Sequence, residues 1–318
     1  MMIKTKKKKL QPIKNEGFLK EFKKSRTLFL MILPSILLVL IINYIPMSGM
    51  ILAFKDFRYD LGIFGSAWSG LGNFKFFFQS GTGLRVTMNT VFYNTINLIT
   101  SQLLSMLIAI LLTEVSGKIV KKFCQSVIFL PYFISWIIVG SFVYNIFNYE
   151  TGILNSVLKG MGTDPVNMYS MPSAWIIVII LFNSWKWVGY NSIIYIAAIM
   201  SIDMECYEAA DIDGANIFQK IKYITMPGIK PTVIVMLLLN VGRIMRGDFQ
   251  MFYQIVGNNG QLYKATDVID TFVFRSLLTS GDMGMTAAAT LYQSVLCFVI
   301  ICTVNAIVKK VEPEYALF

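Results

Sequence analysis

Residues 207–231 read YEAADIDGANIFQKIKYITMPGIKP, a charged stretch set between two of the most apolar parts of a 318-residue chain. Asp203 is placed to cap a first helix, and the acidic residues that follow suit the positive end of its dipole. Gly214 can adopt the left-handed conformation that ends this helix. Asn216 and Gln219 then have capping-box spacing for a second helix, on which Ile217, Phe218, Ile221 and Ile224 recur on one face. Pro227 lacks the donor a helix needs, so the second helix is expected to stop there. The reading is a helix, a glycine turn and an amphipathic helix whose apolar face has too few neighbours in its own loop. That arrangement suits a docking element for another protein.

The chain around this hairpin is 55% hydrophobic and only 14% charged. Its long uncharged runs match the ~20 residues needed to cross a bilayer core as a helix. The class expected is therefore an all-α polytopic membrane protein, with six spans near 27–53, 86–112, 124–147, 174–201, 231–256 and 285–308. The lysine-rich opening leads into a long apolar run rather than a short one with a cleavage site, so the first span is expected to remain as an anchor.

Net charge is +10, yet 10 of the 28 Lys and Arg fall between Lys4 and Arg26, beside the first span. This is read as a topology signal, and no nucleic-acid partner is expected. With both termini inside, 18 basic residues lie on the cytoplasmic side and 7 outside. The bias gives an N-in, C-in arrangement: a basic segment at 1–26, a transmembrane domain at 27–308 that carries the cytoplasmic loop 203–231, and a tail at 309–318. Residues 54–85, 148–173 and 257–284 would then be the external segments.

Chemistry-bearing clusters are sparse. There is no histidine, and Cys124, Cys206, Cys297 and Cys302 form no CxxC pair, so no metal site is expected. A phosphate-cradling GxxxxGK[ST] loop is absent; the one Gly-Lys pair, Gly117 and Lys118, has Leu112 where the first glycine belongs. The chain is expected to be no enzyme and to bind no cofactor itself. A lipid-linked-sugar enzyme would need a catalytic cluster at membrane depth, and none is evident.

The hairpin resembles the EAA loop of ATP-binding-cassette importer permeases. Glu208, Ala209 and Ala210 are followed by three residues, Gly214, nine residues, Ile224, one residue, Met226 and Pro227; only Met226, in place of Leu, departs from the family pattern. The segments LPYFISWIIVG (130–140), SWKWVGYNSIIYIAA (184–198), TDVIDTFVFR (266–275) and PEYALF (313–318) are similar to carbohydrate-importer permeases, in particular the polysaccharide and oligosaccharide branch called LplB-like. This resemblance implies the type I importer (MetI-like) fold, with five core helices and a first helix reaching across a partner. It implies that the hairpin seats in a dimer of ATPase subunits that bind ATP and Mg, with Glu208, Ala209, Ala210, Asp213, Gly214, Ile224 and Pro227 as the coupling residues. It further implies a second permease subunit, expected as a heterodimer with the sequence leaving a homodimer open, an extracytoplasmic solute-binding protein and a carbohydrate cargo. The rival readings are an importer permease for a non-sugar solute and a stand-alone carrier using Asp248 and the buried cations for proton coupling; the carrier has no use for an ATPase dock.

Ionisable groups inside spans are costly, which nominates Lys186, Arg243, Arg246 and Asp248 for the solute pathway. Asn240, Arg243, Gly247, Gln250 and Gln254 recur along the fifth span as one continuous polar stripe, which reads as the wall of a hydrated conduit. A second stripe, Thr90, Asn94, Asn97, Ser101 and Ser105, reads as a packing seam or a conduit wall. Asn183, Trp185, Lys186, Trp187, Tyr190 and Asn191 offer amides beside aromatic faces, which suits a sugar, although interfacial anchoring explains Trp and Tyr equally well. Guanidinium groups at 243 and 246 would suit an acidic sugar unless Asp248 neutralises them.

Overall fold

The computed structural model describes residues 25–79 and 81–316. Most of the basic segment placed at 1–26, and the last two residues of PEYALF, lie outside this range. The described residues divide into two units, one ending at Met50 and one beginning at Ile51. In the first, helix α1 begins; it runs Arg26–Phe54 and contains a π-helical segment, Leu40–Tyr44. None of its residues from Arg26 to Met47 is buried, as suits a helix that is apolar on every side.

The second unit opens with a two-stranded antiparallel ribbon, β1 (Lys55–Asp56) and β2 (Ala67–Trp68). Helices α2 (Gly72–Gln79) and α3 (Thr82–Glu114) follow. Next come α4 (Lys118–Phe133), α5 (Trp136–Phe147), α6 (Ile153–Gly160) and α7 (Pro172–Met200). The hairpin supplies α8 (Met204–Ile212) and the start of α9 (Ile217–Val241). The chain ends with α10 (Phe249–Val256), α11 (Ile269–Ser280) and α12 (Met283–Val311).

Among the described residues, α1, α3, α9 and α12 are long and apolar enough to cross a membrane, and the pair α4 and α5 makes a fifth if taken as one broken span. Helix α7 has the length, at 29 residues, but Asn183, Lys186 and Asn191 dilute its apolar run.

Three expectations are corrected. The span at 124–147 is two helices that meet at 92°. Pro131 precedes the bend, and Ser135 starts α5 by accepting from the Ile138 amide at 3.4 Å.

The span at 231–256 is likewise divided. Helix α9 ends at Val241, residues 242–248 turn, and Asp248 caps α10 through the Met251 amide at 3.1 Å. Asn240, Arg243 and Gln250 therefore do not share one continuous helical face.

Pro227 does not stop its helix. The π-helical segment Ile221–Thr225 lies just ahead of it, and the helix continues to Val241. A proline ring presses on the carbonyl four residues earlier, here Tyr223, and the wider π turn gives that carbonyl room. Helix α1 repeats the device, with Leu40–Tyr44 ahead of Pro46.

Packing in the second unit is organised in three clusters. Trp136, Val139 and Val143 of α5 meet Trp175 and Ile179 of α7, Phe252 and Ile255 of α10, and Tyr93 of α3. Met106, Ala109 and Ile110 of α3 meet Tyr195, Ile196 and Ile199 of α7 and Ile229 of α9. Phe77, Val86, Ile269, Met285 and Ala289 form the third. Glycine permits the closest approaches: a Cβ at Gly140 would lie 2.4 Å from the Gln254 carbonyl oxygen, and one at Gly189 would lie 2.0 Å from that of Ile128.

Candidate functional site: a braced hairpin and two broken helices

The hairpin is held by local bonds that its sequence specifies. Asp203 Oδ1 accepts from the Glu205 amide at 3.1 Å and starts α8. Gly214 closes α8 with φ of +71°, a region that costs any side chain about 1 kcal/mol or more. The capping box is complete: the Gln219 amide donates to Asn216 Oδ1 at 3.0 Å, and the Asn216 amide donates to Gln219 Oε1 at 2.7 Å. Two bonds join its arms, an ion pair between Lys220 and Asp211, and Tyr207 Oη to Thr225 Oγ1 at 2.9 Å.

Glu208, Ala209, Asp213 and Pro227 are exposed, whereas Ala210 and Ile224 are half-buried. The apolar face divides. Ile221 packs on the second core cluster, while Phe218 remains 79% exposed and Ile212 88%. Ile212 is absent from the sequence pattern because it ends the first helix rather than joining the periodicity of the second.

The helix breaks gather most of the polar residues nominated for the pathway. Backbone at membrane depth must be satisfied by the protein itself. At the bend between α4 and α5, Lys186 Nζ donates to the carbonyls of Tyr132, at 3.1 Å, and Ile134, and lies 5.2 Å from the Trp136 ring centroid. The Trp136 indole then donates to Asp248 Oδ2 at 2.8 Å. Asp248 thus caps α10 with one oxygen and holds the bend with the other.

The turn between α9 and α10 is stitched from three sides. Asn94 donates to the carbonyls of Ile244 at 2.7 Å and Arg246 at 3.2 Å. Gln293 donates to the Met245 carbonyl at 2.6 Å, and Asp270 accepts from the Gly247 amide at 2.8 Å and from Gln293 at 3.1 Å. Arg243, Arg246 and Gln250 leave this braced turn exposed. Asn240 is also exposed, and donates to the Met236 carbonyl one turn back.

The aromatic set on α7 separates by face. Tyr190 stacks on Tyr132 at 4.4 Å and remains 39% exposed, as does Trp185. Trp187 meets Tyr132 edge-on. Asn183 is buried, and Asn191 bonds Ser101 Oγ of α3 at 2.9 Å. Ser105 bonds the Val188 carbonyl at 3.2 Å, and Thr90 accepts from the Ile269 amide at 2.9 Å, so four of the five residues in the α3 stripe bond to other elements. Trp136, Asp270 and Gln293 were not nominated from sequence; their partners lie 23 to 112 residues away.

Comparison with known proteins gives the same architecture. The chain is 31% identical to Protein LplB of Bacillus subtilis (strain 168) over 301 residues, covering 95% of this chain and 94% of that one. It is 32% identical over 287 residues to the polygalacturonan/rhamnogalacturonan transport system permease protein YteP of the same organism, covering 90% and 89%. Among solved structures, a bacterial ABC transporter involved in import of the acidic polysaccharide alginate matches with a TM-score of 0.84 at 32% identity, covering 92% of this chain and 99% of that one. The same kind of transporter, in complex with an alginate pentasaccharide-bound periplasmic protein, matches with a TM-score of 0.83, covering 93% and 98%. Residues 103–313, from the middle of α3 to beyond α12 and so including the hairpin and both helix breaks, match the model of the binding-protein-dependent transport system inner membrane component, and the chain belongs to that family.

Proposed function

We propose that this chain is one permease subunit of an ATP-driven importer for oligosaccharides. The observation that carries the reading is the braced hairpin, which presents Ile212 and Phe218 to solvent from the end of a helix that runs on into the apolar part of the chain. An ATPase dimer docks there, with Glu208, Ala209, Ala210, Asp213, Gly214, Ile224 and Pro227 forming or shaping the contact. ATP and Mg act on that partner. A second permease completes the pathway, and an extracytoplasmic binding protein delivers the solute, as the pentasaccharide-loaded partner of the matching transporter suggests.

The chain resides in the cell membrane with both termini cytoplasmic. The proposed count is six spans: α1, α3, the bent pair α4 and α5, α7, α9 with α10, and α12. In this division, residues 1–26 and 309–318 are cytoplasmic and 27–308 form the membrane domain. The broken spans line the pathway, with Arg243, Arg246 and Gln250 around the α9–α10 turn and Trp185 and Tyr190 on α7. Names of the relatives point to polysaccharide fragments, and the exposed guanidinium groups favour acidic ones.

Phe218→Asp tests the dock. Its side chain touches little of its own chain, so the purified permease retains its thermal midpoint, while co-purification of the ATPase and ATP-dependent uptake both fall at least tenfold. Full assembly and uptake by this variant would remove the hairpin from the coupling role.

A further inference from the structure

Beyond α10 the chain folds back on itself and encloses a cavity of about 210 Å³. This is below the ~300–1,000 Å³ of drug-sized pockets and leaves room for one ring. One wall is aromatic: Tyr253 and Phe274 meet edge to face at 5.2 Å, with Phe249 against both. Tyr253 keeps 39% of its surface exposed. Arg275 also lines the cavity, and its guanidinium carbon lies 3.9 Å from the Tyr263 ring centroid.

Arg275 is not a free cation. Two of its nitrogens donate to the two oxygens of Asp267 at 2.6 and 3.1 Å, and the Asp267 side chain is 1% exposed. Burial pulls the guanidinium pKa down, but Asp267 and Tyr263 outweigh burial and leave it above its ordinary value. The pair is charge-balanced, so it presents a flat, polar surface with little net pull on a carboxylate. Thr271, Thr279 and Asn258 add hydroxyl and amide groups to the lining.

The lining is also preorganised. Asn89 of α3 donates to the Asp267 carbonyl at 2.9 Å, Tyr93 to that of Ala265 at 3.0 Å, and Thr271 Oγ1 to Asp267 Oδ1 at 2.8 Å. A rigid cleft with an aromatic face and neutral hydroxyl and amide groups fits a pyranose ring, which has C–H faces and a hydroxyl edge. We infer that this cavity is an outer subsite for one sugar ring of the entering oligosaccharide, separate from the exposed arginines at the α9–α10 turn. The inference rests on the proposed oligosaccharide import. The cavity lining begins at Phe252 of α10, six residues beyond Arg246, about 9 Å at the helical rise per residue, so a chain of several rings places one ring at each position and a disaccharide does not.

The test uses the whole transporter in proteoliposomes with its ATPase and binding protein. Maltose with maltopentaose, and digalacturonate with pentagalacturonate, serve as probes, and the series taken up faster is carried forward. Thr279→Trp, which fills the cavity from its exposed rim, and Tyr253→Ala, which removes the aromatic wall, each lower the ratio of pentasaccharide to disaccharide uptake about tenfold. Disaccharide uptake reports in the same vesicles that the variants have assembled. An unchanged ratio in both variants overturns the subsite. An equal fall for both chain lengths, in variants that still co-purify with the ATPase in full yield, also overturns it and assigns the cavity to docking of the binding protein. If the unaltered transporter takes up no probe, the proposed import itself fails, an outcome distinct from a changed ratio.

Discussion

Replacing Lys186 with methionine keeps the apolar stem in a buried site and deletes only the ammonium. In the structure that ammonium serves the carbonyls of Tyr132 and Ile134 at the 92° bend and sits over Trp136. A hydrogen bond from a charged donor contributes about 1.5–3 kcal/mol, so two give about 3–6 kcal/mol, and the contact with the indole adds about 1 kcal/mol. Against this stands the cost of holding an ammonium out of water, which methionine does not incur. The net loss is therefore about 2–4 kcal/mol, borne at the bend. Thermal unfolding of the permease in nanodiscs, followed by tryptophan fluorescence, measures it; the midpoint falls, and uptake falls with the folded fraction. Unchanged stability with abolished uptake would refute the bracing role and make Lys186 a solute contact. Unchanged stability with full uptake would mean that the two carbonyls find other donors.

Two further outcomes follow from the same geometry. Gly189→Ala places a Cβ 2.0 Å from the Ile128 carbonyl oxygen, and because backbone cannot yield by changing rotamer, α4 and α7 separate at a cost of about 1–3 kcal/mol, read as a lower thermal midpoint. Arg243→Gln removes an exposed guanidinium at the α9–α10 turn and lowers uptake of pentagalacturonate at least fivefold, while maltopentaose is unaffected; equal uptake of pentagalacturonate by both forms would remove the acidic-sugar reading.

What could be read from the sequence was what is encoded locally. Asp203, Gly214, Asn216 and Gln219 act on residues two or three positions away, and each does in the structure what its position predicts. The breaks at 134–135 and 242–248 were missed because hydropathy averages over windows longer than either break. Their signals were present, in Pro131 before Ser135 and in Gly242 and Gly247 before the capping Asp248. Misjudging the second break made the stripe from Asn240 to Gln254 look continuous. Pro227 misled for a different reason, since the π-helical segment that tolerates it has no compositional signature. Lys186 and Asp248 stood out as costly charges, but whether such a charge meets solute or backbone depends on partners about 50 and 110 residues away.

Because α9 passes Pro227 without a break, the exposed Phe218 and the turn that carries Arg243 and Arg246 stand at opposite ends of a single rod of 25 residues, about 37 Å long. A tilt of about 10° imposed at the hairpin sweeps the far end sideways by about 6 Å, more than the width of a water molecule. The turn at 242–248, tied to α3, α11 and α12 by Asn94, Asp270 and Gln293, receives that stroke and shares it among the helices that hold it. On the proposed import function, the hairpin would be the short arm of a lever and the turn that carries Arg243 and Arg246 the end of the long one.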